Sequence, residues 1–202
     1  MGDVRRMEMV GGHVAVDFVN TLGGSPDRAD DEYLFEYVDL LDWLTRAGHL
    51  PPDRRRSLGR AARKAPAEAA RVLHDVRRLR DAVDHILRRH RNAEPVDAGH
   101  LELVRSAYAD ATGHATLAVH GASYRLGWDM ADGSLRWPMW VIAAACVDLL
   151  ADAPLGRLGR CEHCRWLYLD RSRNHSRRWC SMNACGAVIK MRRHRAGRGA
   201  RP

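Results

Sequence analysis

Four of the five cysteines lie close together near the C-terminal end of the sequence, and their spacing could hold a metal ion. They are Cys161, Cys164, Cys180 and Cys185, spaced C-x2-C, fifteen residues, then C-x4-C. Two close pairs at this separation are typical of zinc sites, because each pair fits a tight turn and four thiolates can surround one tetrahedral ion. With four protein ligands, the pattern predicts one structural Zn²⁺ with no position left for a reacting water.

Other uses of these cysteines stay open at this stage. Two disulfides would also use four cysteines, but no secretory signal is evident and the fifth, Cys146, leaves an odd number, so we expect a reducing, cytoplasmic location. A redox C-x-x-C needs a strand before it and a helix after it, whereas the sequence here predicts a turn and then a strand. His163 and His175 are alternative metal ligands, of which His175 is the better substitute.

The charge of the 202-residue chain is concentrated in the same region. The chain has 33 Lys and Arg against 25 Asp and Glu, a net charge of +8. Residues 156–202 hold 13 of the basic residues and only 2 of the acidic ones, a net +11, which leaves −3 on the other 155 residues. A basic segment of this kind favours a nucleic acid or another anionic surface as partner.

The candidate nucleic-acid contacts form two groups around the cysteines. Four arginines lie between the cysteine pairs and four basic residues follow the second pair: Arg171, Arg173, Arg177, Arg178, Lys190, Arg192, Arg193 and Arg195. The second group lies on a predicted helix whose Val188, Ile189 and Met191 are expected to pack on the zinc core. Basic helices beside a zinc site are common in nucleic-acid-binding proteins. These residues favour a nucleic acid as partner; the alternative is a protein-interaction module in which zinc holds a basic docking surface.

The elements that must position this module are predicted from hydrophobic periodicity. We expect an α+β fold: a mostly helical N-terminal domain with a few strands over 1–153, then a small treble-clef or ribbon-like zinc module over 156–202. Alternation of Val14, Val16 and Phe18 predicts a strand within 12–22. A hairpin is predicted around Gly121. Helices are predicted at 32–47, 51–64, 66–91, 97–111 and 137–151. No apolar run is long enough for a membrane span.

The residues around the cysteines resemble the CGNR zinc finger family. The resemblance rests on Asp170-Arg171-Ser172, on the run from Arg177 to Met182, and on Cys185-Gly186. More weakly, the segment 15–21 and Leu79-Arg80 resemble the ABATE domain, which is described as a stress-induced transcription regulator. The resemblance implies a bacterial DNA-binding regulator whose N-terminal domain is a sensor or interaction domain. On this ground we favour DNA over RNA, and the alternative is an RNA-binding zinc ribbon.

One departure from the family bears on recognition. The motif Cys-Gly-Asn-Arg becomes Cys185-Gly186-Ala187-Val188 here, which removes two polar side chains. All four cysteines of the motif remain, so we expect zinc binding to be kept. Because the contacts of the two lost polar side chains are absent, we expect phosphate-backbone contacts to outweigh base-specific ones.

The N-terminal domain is expected to sense a ligand or a partner rather than to catalyse a reaction. The sequence has no Gly-rich phosphate loop, nucleophile elbow or H-E-x-x-H helix, so we expect no enzyme and no catalytic residues. The resemblance and their polarity near an apolar segment make Asp17, Asn20 and Arg80 the candidate contacts for a small-molecule effector. A homodimer would suit a palindromic DNA site, although nothing in the sequence requires one.

Overall fold

A computed structural model describes residues 2–23, 31–129 and 133–199, and within these ranges the fold is the predicted α+β arrangement, mostly helical with two small sheets. The helices are α1 Val14–Val19, α2 Tyr37–Arg46, α3 Pro52–Lys64, α4 Pro66–Arg91, α5 Ala98–Gly113, α6 Trp137–Asp152 and α7 Ala187–Gly199. The strands are β1 Thr116–His120, β2 Ser123–Gly127, β3 Leu158–Arg160 and β4 Leu167–Leu169. Each sheet is one antiparallel pair, β1 with β2 and β3 with β4.

The predicted strand at 12–22 is wrong, because this segment forms helix α1. The side chain of His13 caps the helix by accepting a hydrogen bond from the backbone N–H of Ala15 at 3.1 Å. Five consecutive residues, from Ala15 to Val19, are buried. A helix buried on all sides shows no amphipathic period, so the alternation of Val14, Val16 and Phe18 did not reveal its secondary structure.

The long helix α4 forms the centre of the N-terminal part. Its stripe of Val72, Val76, Leu79, Val83 and Leu87 is buried against the other helices, as its period predicts. Prolines at the first positions of α3, α4 and near the start of α6 cost no helical hydrogen bond, because the N–H groups there have no partner in the helix. Within the described ranges, no helix has both the length and the apolar composition needed to cross a membrane.

The hairpin of β1 and β2 presents an apolar face to solvent. Its register places Leu117 opposite Leu126 and Val119 opposite Tyr124. Alternation along each strand puts these four side chains on one face of the hairpin. All four are largely exposed.

The strands β3 and β4 connect the zinc-binding part to the rest of the chain. Leu158, Leu167 and Leu169 are buried in the same apolar core as the N-terminal helices. On the other face of β4, the ring of Tyr168 lies over Gly159, its partner in register, where a Cβ atom would be only 2.3 Å from the ring. The boundary between 1–153 and 156–202 stays a prediction, and the two parts share one core.

Candidate metal centre and basic surface

The local structure brings the four predicted cysteines together. Cys161 and Cys164 lie on the turn between β3 and β4, and Cys185 lies in a single π-helical turn, Met182–Gly186, just before α7. The four Sγ atoms all lie within 4.8 Å of one another. The Sγ atom of Cys180 is 3.5 Å from those of Cys164 and Cys185.

These distances fit a single zinc ion. Four Zn–S bonds of about 2.3 Å in a tetrahedron separate neighbouring sulfurs by about 3.8 Å. All five cysteines are free thiols in the structure, and the first pair lies between two strands rather than before a helix. Neither His163 nor His175 belongs to the metal-binding group found among the described residues. The four cysteines therefore form one structural zinc site.

The electrostatics of the cluster also call for a cation. Hydrogen bonds from the neighbouring thiols of Cys164 and Cys180 lower the pKa of Cys161. Burial, together with the charge of Cys164, raises the pKa of Cys185 to about 12. Four thiolates can share so small a volume only if a divalent ion neutralises them, and thiolates are ligands that suit Zn²⁺.

Arg177, a predicted nucleic-acid contact, is engaged within the protein. Its guanidinium lies 4.1 Å from the centre of the Tyr168 ring. It donates hydrogen bonds to the backbone oxygens of Val10, Trp179 and Cys180. The Tyr168 hydroxyl in turn donates to the carbonyl of Arg177 at 2.6 Å. This arginine therefore links the N-terminal segment to the backbone of a zinc ligand.

Two further predicted contacts also have protein partners. Arg178 forms a two-point ion pair with Glu162, with both N–O distances 2.6 Å, and lies beside the Trp179 ring. Arg171 donates a hydrogen bond to the carbonyl of Gly12. The role of Arg171, Arg177 and Arg178 in binding nucleic acid stays a prediction, and the structure gives each a role inside the fold.

The remaining basic residues are distributed over the loop after β4 and over α7. Arg173, Lys190 and Arg195 are exposed, and among the described residues they have neither a hydrogen bond nor an ion pair through their side chains. Arg192 is exposed too, while the side chain of Arg193 lies outside the described part of the structure. Val188 and Ile189 are half-buried as expected, but the expectation for Met191 is wrong, because its side chain is 57 % exposed.

Asp170 organises the loop that carries Arg173. Its two carboxylate oxygens accept hydrogen bonds from the backbone N–H groups of Ser172 and Arg177, at 2.8 and 3.0 Å. The hydrogen bonds from Ser172 hold its pKa below the ordinary value, so it remains charged. The sequence alone predicted no role for Asp170, although Asp170 belongs to the Asp170-Arg171-Ser172 run on which the resemblance to the zinc finger family rests.

Asp17 and Asn20, predicted as effector contacts, are both buried beside the zinc-binding part. Asp17 accepts a 2.7 Å hydrogen bond from the backbone N–H of Gly11, and burial raises its pKa to about 6. The Asn20 amide donates to the carbonyl of Leu167 and accepts from its N–H, both at 2.8 Å. Each therefore supports the packing of the chain, and a role in effector binding stays a prediction.

Arg80, the third predicted effector contact, forms a buried ion pair. Its two terminal nitrogens contact the two carboxylate oxygens of Glu32 at 2.7 and 2.8 Å. Glu32 also accepts hydrogen bonds from the backbone N–H groups of Tyr33 and Leu34. This pair holds the segment before α2 against α4, and its use by a ligand stays a prediction.

Comparison with protein families matches both parts of the chain. Residues 12–153 match ABATE, whose description reads "Putative stress-induced transcription regulator", and residues 157–198 match the CGNR zinc finger. Neither description names an enzyme. A search of curated proteins finds no match. Because the first match spans well over half of the chain, this protein belongs to the ABATE family and carries a CGNR zinc finger after its ABATE domain.

Proposed function

We propose that this protein is a transcription regulator that acts in the cytoplasm and binds nucleic acid, DNA rather than RNA, through the basic surface of its zinc finger. The observation that carries the proposal is the set of exposed side chains Arg173, Lys190 and Arg195, which have no partner among the described residues. No acidic residue occurs from Arg171 to the end of the sequence. An anionic polymer is the partner that best neutralises such a surface.

Helix α7 supports this assignment by its shape and position. It begins at Ala187, two residues after Cys185, so the zinc site fixes its N-terminal end. Thirteen helical residues span about 20 Å, and a single α-helix fits the major groove of B-DNA. Ala187 and Val188 begin this helix in place of the polar pair of the family motif. The contacts we propose are therefore mainly to phosphates.

Direct contacts between helix α4 and the zinc-binding part support a regulatory role for the N-terminal domain. Arg88 of α4 donates a 2.9 Å hydrogen bond to the carbonyl of Arg165, and Arg165 forms a 3.0 Å ion pair with Asp84. A ligand or partner that moves α4 would therefore move the turn that carries two zinc ligands. Thermal shift screening of the full chain tests for an effector, since saturation at about 100 times Kd adds about 2.7 kcal/mol of stability.

The salt dependence of binding tests the nucleic-acid surface. Each neutralised phosphate contributes about −0.9 to the slope of log K against log salt on B-DNA. The triple variant Arg173→Gln/Lys190→Gln/Arg195→Gln should therefore reduce the slope by about 2.7. The measurement is fluorescence anisotropy of a labelled DNA duplex with the zinc-loaded full chain between 50 and 200 mM NaCl. An RNA duplex of equal length is the second probe.

A matched control separates a binding surface from simple net charge. Arg54→Gln/Arg56→Gln/Arg60→Gln removes the same charge from exposed positions on α3 and should leave the slope unchanged. Equal effects of the two triple variants would contradict the proposed surface. Tighter binding of the RNA duplex would favour an RNA-binding zinc ribbon. Absence of binding to either polymer at 50 mM NaCl would favour a protein-interaction module.

A further inference from the structure

The hairpin of β1 and β2 exposes an apolar face that the zinc finger and its proposed function do not use. Leu117 and Leu126 form one cross-strand pair and are 68 % and 59 % exposed. Val119 and Tyr124 form the next pair, and each is 75 % exposed. Two adjacent pairs on one face make a continuous patch, which we call the hairpin patch.

The hairpin patch is comparable in area to the largest apolar patch of a typical monomer, and such patches are often functional. At these exposures the four residues present about 500 Å² to water. The hairpin is also a sheet of only two strands, which is marginally stable in water without a partner or a covering layer. Packing against another apolar surface would bury the patch and stabilise the strands together.

The composition of the hairpin favours a second copy of the same chain as the partner. From Ala115 to Trp128 the sequence contains one charged residue, Arg125, whose register partner is Ala118 rather than a residue of the hairpin patch. The four residues of the hairpin patch carry no charge, so the patch offers no cations to an anionic polymer. The whole chain carries +8, and two copies therefore repel each other wherever their basic surfaces meet. The hairpin patch itself is uncharged, so two copies can meet there without bringing like charges of the patch together, and its four residues gain from leaving water.

The patch also supplies much of the area that a symmetric pair needs. A standard stable interface buries about 800 Å² on each partner, and the four residues alone supply more than half of that area. In a twofold dimer each copy uses the same surface, so the hairpin patch of one chain would pack against the same four residues of the other. We propose that the hairpin patch is a homodimer interface, in which the hairpins of two chains pack face to face about a twofold axis.

A charge placed on the hairpin patch tests this interface. Val119→Glu should raise the dimer dissociation constant by at least about 100-fold, because each copy would bury an unpaired carboxylate. Ala118→Glu is the matched control: it adds the same charge to an exposed neighbour on the opposite face of β1 and should leave the dimer intact. Sedimentation equilibrium of the zinc-loaded full chain, at 1 to 100 µM and at 0.15 and 0.5 M NaCl, gives the dissociation constants.

We expect the wild type to be dimeric, with an affinity that high salt does not weaken, since apolar contacts are not screened. Unchanged far-UV circular dichroism and zinc content in both variants show that the fold is kept, and Leu126→Lys provides a second disruption on the other strand. A monomeric wild type at 100 µM would overturn the proposal. So would a dimer that persists in Val119→Glu and Leu126→Lys, or one that Ala118→Glu disrupts equally.

Discussion

Replacing Asn20 with alanine would remove the buried amide that joins α1 to β4. The Asn20 side chain is 1 % exposed, and it makes two hydrogen bonds of 2.8 Å with the backbone of Leu167. Asn20→Ala leaves both the N–H and the carbonyl of Leu167 without these partners in a buried position. The perturbation therefore acts where the zinc finger meets the N-terminal helices.

The expected loss of stability follows from those two groups. Each buried polar group left unpaired costs about 1–3 kcal/mol, so Asn20→Ala should lower the free energy of unfolding by about 3 kcal/mol. In a chain of about 200 residues this corresponds to a fall in Tm of about 6–12 °C. In Asn20→Asp the carboxylate keeps the acceptor but loses the donor. That variant should regain stability as the pH falls, because a protonated carboxyl group can donate to the Leu167 carbonyl.

The assay is guanidinium unfolding of the zinc-loaded full chain, with thermal unfolding alongside. Asn92→Ala is the control, since Asn92 is exposed and its replacement should change stability by no more than about 0.5 kcal/mol. A loss below 1 kcal/mol for Asn20→Ala, or equal losses in the two variants, would refute the structural role. An effector contact would behave differently: ligand-induced stabilisation would disappear while the stability of the free protein stayed the same.

Three further predictions concern the cysteines and the other buried charges. Chelation of zinc should raise the number of thiols that react with an aromatic disulfide reagent at pH 8 from none to four. Cys146 should react only after unfolding, because burial raises its pKa to about 12. Zinc content unchanged by Cys180→Ser would contradict the four-thiolate site. Because burial raises the pKa of Asp17 to about 6, the folded state binds a proton more tightly than the unfolded state, and the wild type should lose about 2–3 kcal/mol between pH 4 and 7 that Asp17→Asn does not lose. Parallel urea-unfolding profiles of the two proteins against pH would rule this out. Arg80→Ala should cost about 3 kcal/mol, because Glu32 would keep its backbone hydrogen bonds but only the longer, 3.8 Å contact with Arg77 as an ion pair. Arg80→Lys should recover less than half of this loss, since lysine cannot contact both oxygens in parallel. Full recovery in Arg80→Lys would show that the two-point contact is unimportant.

The features that the sequence predicted correctly depend on local spacing. The cysteine pairs lie on turns that a few residues define, so their separation alone indicated the zinc site. The stripe on α4 has a helical period because one face is buried and the other is in water. In both cases the chemistry and the geometry arise within a short segment of chain.

The features that the sequence missed depend on distant contacts. The alternation around Val16 indicated a strand, but α1 is buried on all sides and its period carries no information about secondary structure. Arg177 was indistinguishable in sequence from Arg173, since only the fold shows that one lies on the Tyr168 ring and the other in solvent. Asn20 was singled out for its polarity, and its partner is 147 residues away.

The hydrogen bonds to the N-terminal segment bear on whether this zinc finger could be moved into another protein by itself. The carbonyl oxygens of Val10, Gly11 and Gly12 accept hydrogen bonds from the finger, in the last case across 159 residues of sequence. If residues 156–202 alone were joined to another protein, these donors would lose their acceptors and Leu167 would be exposed to water. We therefore expect the finger to be stable in a new protein only when the segment before α1 and helix α1 accompany it.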